Sequence, residues 1–275
     1  MTTHPPAKIN LSLTIKGKRD DGFHELETLV LPLPGLTDQL DFESANSFSL
    51  HCDTPGVPTD DSNLVTRALR LFERNTGIPC PYRLTLQKRI PHGAGLGGGS
   101  ADAAHTFLAL NELTKAGVPI DTLAEWAGEL GSDIPLFLYQ SPCFCRGRGE
   151  IIDPVELNWT HPILLFKPSF GIPTPWAYSR WKDSKEIGGI SYLPQSVGEA
   201  TLVNDLERPV FEKHRFLAEL KQFLLEQAET KAAMMSGSGS TVFAVLHATS
   251  GAEALRERTL AELDPTMWSH LCVFC

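Results

Sequence analysis

Hydrophobic and polar residues alternate regularly at the start of the chain. From Ile9 to Ile15 every second residue is apolar, which is the period of a strand with one buried face. A polar stretch containing glycine, at residues 17–22, then leads into a second extended run at residues 27–33. This pattern predicts that the chain begins with a β-hairpin.

The remaining pattern predicts a mixture of strands and helices. Alternating or short apolar runs predict strands at residues 39–42, 48–52, 82–86, 163–166 and 241–246. Apolar residues at helical spacing predict helices at residues 64–77, 102–110, 122–130, 214–227 and 252–263. The first of these helices has Asp60, Asp61 or Ser62 as its expected N-cap. The predicted fold class is therefore α+β.

One stretch has weak periodicity and is rich in glycine, proline and tryptophan. It covers Pro168–Pro194, and we expect it to be a long functional loop. A chain of 275 residues fits one large or two modest domains. We place the boundary near Ile151, shortly before this loop, which gives an N-terminal domain of residues 1–150 and a C-terminal domain of residues 151–275.

Composition and charge narrow the class of protein. With 42% hydrophobic and 21% charged residues, the chain has an ordinary globular composition. Its formal net charge of −9 has the wrong sign for binding a nucleic-acid backbone or an anionic membrane surface. No apolar run approaches the roughly 20 residues that span a bilayer, and the N-terminus lacks the features of a signal peptide. A cytoplasmic protein is therefore expected.

The six cysteines are too few for a disulfide scaffold in a chain of this length. The close pairs Cys143/Cys145 and Cys272/Cys275 have spacings that can ligate zinc. However, one pair ends the chain, and the other flanks Phe144 in a run typical of a strand. We therefore expect buried structural thiols rather than a metal site.

A glycine-rich segment lies between a predicted strand and a predicted helix. Residues 91–100 contain five of the chain's 22 glycines. Backbone N–H groups can converge on an anion in such a segment, and the following helix N-terminus adds partial positive charge. Because strongly periodic elements flank it on both sides, a phosphate site is favoured over a flexible linker.

Three common nucleotide-binding patterns do not account for this segment. Residues 93–98 satisfy the G-x-G-x-x-G dinucleotide pattern, but that pattern needs a later strand with an acidic residue about 20 positions on. Here residues 121–130 predict another helix. No Lys-Ser or Lys-Thr follows the glycines, which excludes a Walker loop, and the H-R-D and D-F-G sequences of protein kinases do not occur.

Three segments resemble the motifs of the GHMP small-molecule kinases, and they are Pro6–Leu11, Pro91–Ala103 and Met235–Ser240. Further segments are similar to the branch of this family that phosphorylates a cytidine diphosphate ester of methylerythritol. They cover residues 22–28, 131–137, 147–150, 172–175 and 204–207. The resemblance implies a two-domain GHMP kinase fold with the active site in the cleft between the domains. It also implies transfer of the γ-phosphoryl group of ATP to a hydroxyl, in the non-mevalonate isoprenoid pathway.

Two catalytic residues are implied by this resemblance. Asp133 would orient or deprotonate the attacking hydroxyl, and Lys8 would stabilise the charge of Asp133 and polarise the hydroxyl or the transferred phosphoryl group. From the residues alone, Asp133 could instead cap a helix before Pro135. Lys8 could equally be a solvated lysine on the polar face of a strand.

The resemblance also implies contacts to both ligands. The substrate-binding residues would be Asn10, Phe23, His24, Thr174, Tyr178, Ser236 and Gly237. Among these, Phe23 and Tyr178 match the rings that sandwich the cytosine, with the two ring types exchanged relative to the usual order, and His24 would hydrogen-bond the cytosine edge. The ATP-binding residues would be Pro91, His92, Gly93, Ala94, Gly95, Leu96, Gly97, Gly98, Gly99, Ser100 and Ala101, with Asn63 and Lys88 near the base or ribose.

Mg²⁺ is expected to arrive with ATP, because the sequence contains no dedicated metal cage. The hydroxyl of Ser100 would reach the ion or the β-phosphate, although Ser100 could also serve as a plain N-cap. The expected partner is a small-molecule substrate, with no nucleic acid and no membrane, and the expected assembly is a monomer or a weak homodimer.

Two alternatives remain open from the sequence. A homoserine- or mevalonate-type kinase of the same family would carry Ser-Ser after the glycines, and it gives no reason for His24 or for residues 172–175. A non-catalytic nucleotide-binding protein with this fold would be expected to have lost Lys8 or Asp133, and both are present.

Overall fold

The computed structural model describes residues 1–274. Cys275 lies outside the described residues, whereas Cys272 is a buried free thiol, as expected. Cys143 and Cys145 are buried free thiols, as expected, and burial raises the pKa of Cys145 to about 12. No helix in the described part of the chain is both long and apolar enough to cross a membrane.

The described residues form both strands and helices. The strands are β1 (Thr2–Thr3), β2 (Pro6–Lys18), β3 (His24–Thr37), β4 (Gln39–Ser44), β5 (Ser49–Cys52), β6 (Tyr82–Gln87), β7 (Cys143–Gly147), β8 (Ile151–Pro154), β9 (Ile163–Lys167), β10 (Gln195–Val197), β11 (Ala200–Asn204), β12 (Thr230–Met235), β13 (Val242–Leu246) and β14 (Trp268–Cys272). The helices are α1 (Leu64–Thr76), α2 (Gly98–Thr114), α3 (Ile120–Leu130), α4 (Thr174–Arg180), α5 (Glu207–Lys213), α6 (Arg215–Leu225) and α7 (Ala252–Glu262), and a 3₁₀ turn covers Pro135–Leu138. The predicted α+β class is confirmed.

The opening hairpin organises the largest sheet. Strands β2 and β3 pair antiparallel, with Lys8 opposite Pro32 near one end and Lys18 opposite His24 at the turn. They lie at the centre of a six-stranded sheet of order β10-β11-β2-β3-β7-β8. Two four-stranded sheets, of order β1-β4-β6-β5 and β12-β13-β9-β14, complete the fold. The predicted hairpin is therefore confirmed.

The helices and sheets pack around three apolar clusters. Helices α1 to α3 pack on one side over strands β4 and β6, and helices α4 to α7 pack on the other side over β9, β12 and β13. Between them, β2 and β3 pack against the sheet that contains β9. Within β9, Ile163 and Leu165 join the middle cluster whereas Leu164 and Phe166 join the helical one. Since both faces of β9 are covered, its sequence is a continuous apolar run.

The start of α1 differs from its prediction. Asn63 caps the helix, and its side-chain oxygen accepts a hydrogen bond from the amide of Val65 at 2.9 Å. Asp60 instead accepts hydrogen bonds from both the amide and the hydroxyl of Ser62, which forms a local turn before the helix. The predicted caps Asp60, Asp61 and Ser62 are therefore wrong by one to three positions. The predicted end is confirmed, because Gly77 adopts a left-handed conformation with φ 70°.

The stretch Pro168–Pro194 is not a continuous loop. It contains α4, a helix of seven residues with proline in its first turn. Proline is compatible with a first helical turn because the amides there have no partner within the helix. The helix is too short to give a periodic signal, and the prolines obscured it in the sequence.

Strands from the two predicted domains share one sheet. Strand β11 lies parallel to β2, with Asn204 opposite Leu13. The amide of Asp205 donates to the carbonyl of Leu13 at 2.9 Å, and the carboxylate of Asp205 accepts from the amide of Ile15 at 2.7 Å. The boundary near residue 150 stays a prediction, and the central sheet is continuous across it.

Candidate functional site

A cavity of about 940 Å³ lies where the glycine-rich segment, the opening hairpin and the start of α4 meet. Almost all of the predicted site residues line it. The exceptions are Ala101 and Ser236, which are fully buried behind its wall. The amide of Ala101 is used in a helical hydrogen bond to Gly97, and the hydroxyl of Ser236 donates to the carbonyl of Gly95.

The glycine-rich segment makes close backbone contacts that side chains would prevent. Gly97 has φ 72°, and a Cβ there would lie 2.7 Å from the ring of Phe137 and 3.0 Å from Cγ of Lys8. Gly95 has φ 75°, and a Cβ there would collide with the carbonyl oxygen of Ser236. These contacts explain why the segment needs glycine at both positions.

The N-terminus of α2 faces the same cavity. The helix begins at Gly98, four residues before the predicted start, and the first helical hydrogen bond runs from Ala101 to Gly97 at 2.9 Å. The amides of Gly98, Gly99 and Ser100 therefore have no acceptor within the helix. Gly97 is the N-cap and has no side chain to accept from them. This end of the cavity is suited to an anion such as phosphate.

Lys8 and Asp133 meet at the cavity wall. Nζ of Lys8 lies 3.8 Å from Oδ2 of Asp133, and the Lys8 side chain is 5% exposed while that of Asp133 is 54% exposed. Lys8 is thus buried, so the solvated alternative is wrong. Asp133 does not cap the 3₁₀ turn that follows, because the N-cap of that turn is Ile134 and no side-chain cap bond is made there.

A short chain of hydrogen bonds fixes the position of Lys8. Its Nζ donates to Oδ1 of Asn10 at 2.8 Å, and Nδ2 of Asn10 donates to Oγ1 of Thr28 at 2.8 Å. The hydroxyl of Thr28 in turn donates to the carbonyl of Ser12. All four residues lie in β2 and β3, so the hairpin presents the ammonium group in a fixed direction.

Aromatic side chains gather at the other end of the cavity. The rings of His24 and Tyr178 lie 5.4 Å apart, and Trp181 meets His24 edge-on at 6.0 Å. Phe23 is 49% exposed, and the guanidinium of Arg148 lies 4.9 Å from its ring centre. Burial, followed by the nearby Lys18, lowers the pKa of His24, so this ring is neutral at neutral pH.

The turn after β12 closes the cavity beside Lys8. A Cβ on Gly237, which has φ 55°, would lie 3.1 Å from Oδ1 of Asn10 and 3.5 Å from Nζ of Lys8. The hydroxyls of Thr174 and Ser238 are hydrogen-bonded at 2.8 Å, which joins the start of α4 to this turn. The sequence therefore located the turn correctly, although Ser238 rather than Ser236 reaches the cavity.

Lys88 lines the cavity and is held by two buried carboxylates. Its Nζ contacts Asp38 and lies 2.7 Å from Oδ2 of Asp102. The other oxygen of Asp38 accepts from the amides of Arg89 and Ile90 at 2.6 and 2.9 Å. Burial raises the pKa of Asp102 to about 7, and the nearby Asp38 adds to this although Lys88 opposes it. The side chain of Asn63 also lines the cavity, and both ends of its amide are occupied by backbone groups.

Several residues of the site were not identified from the sequence. Arg148 lies on a loop between two strands and lines the cavity; the family resemblance covered its segment, residues 147–150, but gave the arginine no role. Asp38 lies 50 residues before its partner Lys88, so no local pattern connects the two. Asp102 sits inside an alanine-rich run. Among the described residues, no group of three or more histidine, cysteine, aspartate and glutamate side chains is arranged to hold a metal ion.

Comparisons with known proteins agree with this geometry. The family models described as GHMP kinases N terminal domain and GHMP kinases C terminal match residues 63–141 and 186–261. A 4-diphosphocytidyl-2-C-methyl-D-erythritol kinase of Methylacidiphilum infernorum (isolate V4) is 40% identical over 250 residues, which cover 87% of this chain and 84% of the relative. A kinase of the same name from Protochlamydia amoebophila (strain UWE25) is 41% identical over 240 residues, covering 87% of this chain and 82% of the relative.

Solved structures give the same result. The crystal structure of a 4-(cytidine 5'-diphospho)-2C-methyl-D-erythritol kinase has a TM-score of 0.81 and 34% identity, with both chains fully covered. The homoserine kinase of Cytophaga hutchinsonii has a TM-score of 0.74 at 15% identity, covering 100% of this chain and 94% of that one. Because the homoserine kinase is only 15% identical, its similarity shows the fold alone.

Proposed function

The chain belongs to the 4-diphosphocytidyl-2-C-methyl-D-erythritol kinases of the GHMP kinase family, and from this premise we propose that it phosphorylates the 2-hydroxyl of that compound with ATP. The 2-hydroxyl oxygen forms a bond to the γ-phosphorus, and the bond from that phosphorus to the β,γ-bridging oxygen breaks. ADP and the 2-phosphate are the products. The reaction supplies a step of isoprenoid precursor synthesis that does not use mevalonate.

The observation that carries this proposal is the Lys8–Asp133 pair in the same cavity as the glycine-rich segment. Phosphoryl transfer needs positioning and charge stabilisation more than covalent chemistry. Asp133 is half exposed to the cavity, so its carboxylate is free to accept a hydrogen bond from the attacking hydroxyl. Lys8, fixed by Asn10, offers positive charge where negative charge builds up on the phosphoryl oxygens.

The two ends of the cavity suit the two ligands. We assign the phosphates of ATP to the free amides of Gly98, Gly99 and Ser100, which form an anion site at a helix N-terminus. We assign the cytosine to Phe23 and Tyr178, with the neutral ring of His24 able to hydrogen-bond its polar edge.

Arg148 has no role in the sequence-based assignment, and we give it one here. Its guanidinium rests on the ring of Phe23 and lines the same end of the cavity. A diphosphate group carries two negative charges close to the cytidine. An arginine at this position would compensate part of that charge in a protein whose formal net charge is −9.

Mg²⁺ fits this site only when it is bound together with ATP. The hydroxyl of Ser100 is a hard oxygen ligand at the cavity wall, which is the type of donor that Mg²⁺ prefers. Because no acidic cluster is present among the described residues, most of the remaining ligands would be phosphate oxygens and water. When bound, the ion would neutralise charge on the phosphates.

The proposal is tested by measuring ADP release with a panel of acceptors. The purified protein should release ADP when 4-diphosphocytidyl-2-C-methyl-D-erythritol is present, and not with homoserine, mevalonate or galactose. Equal turnover of any of the three rivals would contradict the assignment. Gel filtration of the same sample tests the expected assembly, which is a monomer or a weak homodimer. We also keep the expectation that the protein is cytoplasmic.

A further inference from the structure

The turn between β12 and β13, residues 236–241, is held at the cavity by groups that lie outside it. Asn204, the last residue of β11, makes three side-chain hydrogen bonds to backbone. Its Nδ2 donates to the carbonyls of Met235 and Gly237, both at 2.8 Å. Its Oδ1 accepts from the amide of Leu206 at 2.9 Å. Since Asn204 is 6% exposed, water does not compete for these bonds.

Glu207 adds a second attachment to the same turn. Its Oε1 accepts from the amide of Met235 at 2.9 Å, and its Oε2 pairs with Nζ of Lys221 at 2.6 Å. Both charged side chains are almost completely buried. Nζ of Lys221 also donates to the carbonyl of Ser191 at 2.6 Å. Residues 204–207 therefore hold both backbone polar groups of Met235, the residue that leads into the turn.

The same four residues are fixed to the strand that carries Lys8. Asn204 lies opposite Leu13 of β2, and Asp205 is bonded to the backbone of Leu13 and Ile15. Residues 204–207 thus connect β2, on which Lys8 and Asn10 lie, with the turn that packs against those two side chains. The connection sets the distance between Gly237 and Lys8.

We propose that Asn204 and Glu207 are positioning residues for the kinase reaction. They hold Gly237 and Ser238 against Lys8 and Asn10, so that the acceptor hydroxyl meets the γ-phosphoryl group at the right distance. The carbonyl oxygen of Gly237 accepts a hydrogen bond from Asn204. In a trans peptide the N–H of the next residue points the opposite way, so the N–H of Ser238 points away from Asn204. Neither residue lines the cavity, and the inference rests on the proposed kinase activity.

The first test compares Asn204→Ala with Asn111→Ala. Asn111 is a matched control, because its side chain also bonds a backbone amide and a backbone carbonyl, both of Val118 at 2.9 Å. It lies near the end of α2, away from the residues that line the cavity. Asn204→Ala should lower kcat by roughly 10- to 100-fold at a temperature where both variants are folded, since displacements of about 1 Å have such effects. Asn111→Ala should keep the wild-type kcat.

A wild-type kcat for Asn204→Ala would overturn the proposal. Should that variant fail to fold, two double variants decide the question, namely Glu207→Gln with Lys221→Met and Glu207→Leu with Lys221→Met. Both remove the buried charges, and they differ in whether an acceptor remains for the amide of Met235. The leucine variant should have a kcat about threefold to tenfold lower than the glutamine variant. Equal kcat values would overturn the proposal.

One readout separates this inference from the proposed function. Hydrogen exchange at the amides of Ser236 and Gly239, which are bonded to Thr241 and Ser236, reports the order of the turn without any substrate. Exchange at these amides should be faster in Asn204→Ala than in the wild type. If the wild type does not phosphorylate the cytidyl substrate, the function is wrong, whereas unchanged exchange means that the positioning is wrong.

Discussion

Lys8 and Lys88 line the same cavity, but carboxylates surround them to very different degrees. Lys88 contacts Asp38 and Asp102 closely; both carboxylates are buried, and the lysine side chain is 11% exposed. Lys8 is more buried, yet its nearest carboxylate, that of Asp133, is 3.8 Å away and half exposed. Within residues 1–274, its one close side-chain partner is the neutral amide oxygen of Asn10. The charge of Lys88 is therefore compensated within the protein, and that of Lys8 is largely available to a ligand.

The difference is the one we expect between a structural ion cluster and a reactive pair. Burying a charge is costly unless close partners compensate it, and a triad such as Asp38–Lys88–Asp102 meets this requirement without a ligand. The Lys8–Asp133 pair meets it only loosely, which is the arrangement expected of groups that act on a bound substrate. Changes at Lys8 or Asp133 should therefore lower activity, whereas changes at Lys88 should lower stability.

The largest effect is expected for Asp133→Asn. The kcat should fall by roughly 10²–10⁴, because a group that accepts the proton or hydrogen bond of the acceptor hydroxyl is lost. Stability and the KM for ATP should remain near wild type, since the side chain is 54% exposed. Steady-state kinetics measure kcat and the KM for ATP, and urea unfolding measures the stability. An unchanged kcat would place the catalytic group elsewhere.

The next effect is expected for Lys8→Met. The kcat should fall by roughly 10²–10³, as for the loss of one group that stabilises the transition state. The free energy of unfolding should change by no more than about 3 kcal/mol, the upper end of the scale for one hydrogen bond to a charged group. Lys16→Met is the matched control, because Lys16 lies on the same strand in an exposed pair with Glu27. A control with the same loss of kcat would undermine the assignment of Lys8.

Lys88→Met should show the opposite behaviour. Removal of the ammonium leaves two buried carboxylates without a cationic partner, and breaking such a cluster costs about 3–5 kcal/mol of unfolding free energy. The loss of kcat, measured on folded protein, should be smaller than for Lys8→Met. The KM for ATP from the same data tests the predicted contact of Lys88 with the nucleotide. A stable Lys88→Met variant would remove the distinction between the two lysines.

The smallest effect concerns the pH dependence of stability. Burial raises the pKa of Asp102 from 3.8 to about 7, so the folded protein binds this proton more tightly than the unfolded chain. The contribution of Asp102 to stability is then present at low pH and is lost as the pH rises between these two values. Urea unfolding at several pH values gives the unfolding free energy as a function of pH. Asp102→Asn should flatten this dependence between the two pKa values. An unchanged profile would show that Asp102 is ionised throughout.

The sequence predicted the elements that carry strong local signals. The alternation from Ile9 to Ile15 identified β2, and the glycines of residues 91–100 marked the segment that leads into α2. Gly77 marked the end of α1, because a left-handed residue there favours glycine. The positions of Lys8 and Asp133 came from the family resemblance, whereas local pattern left a solvated lysine and a helix cap as alternatives. Burial of Lys8 depends on layers that pack on both faces of the sheet.

The rest depends on contacts between residues far apart in the chain. The pairing of β11 with β2 joins residues about two hundred positions apart, with Asn204 opposite Leu13, and no periodicity reveals such a partner. The Asp38–Lys88–Asp102 triad is likewise assembled from three separate segments. Helix α4 escaped detection because its seven residues begin among prolines. Long-range pairing and short helices are thus the features that required the structure.

The most direct test of the account is a double-variant cycle on Lys8→Met and Asp133→Asn. If the two side chains act as one unit on the acceptor hydroxyl, the double variant should lose no more kcat than the more impaired single variant. The measurement is kcat with saturating ATP and 4-diphosphocytidyl-2-C-methyl-D-erythritol for the wild type and the three variants. Losses that multiply in the double variant would contradict the account, because they would mean that Lys8 and Asp133 act independently.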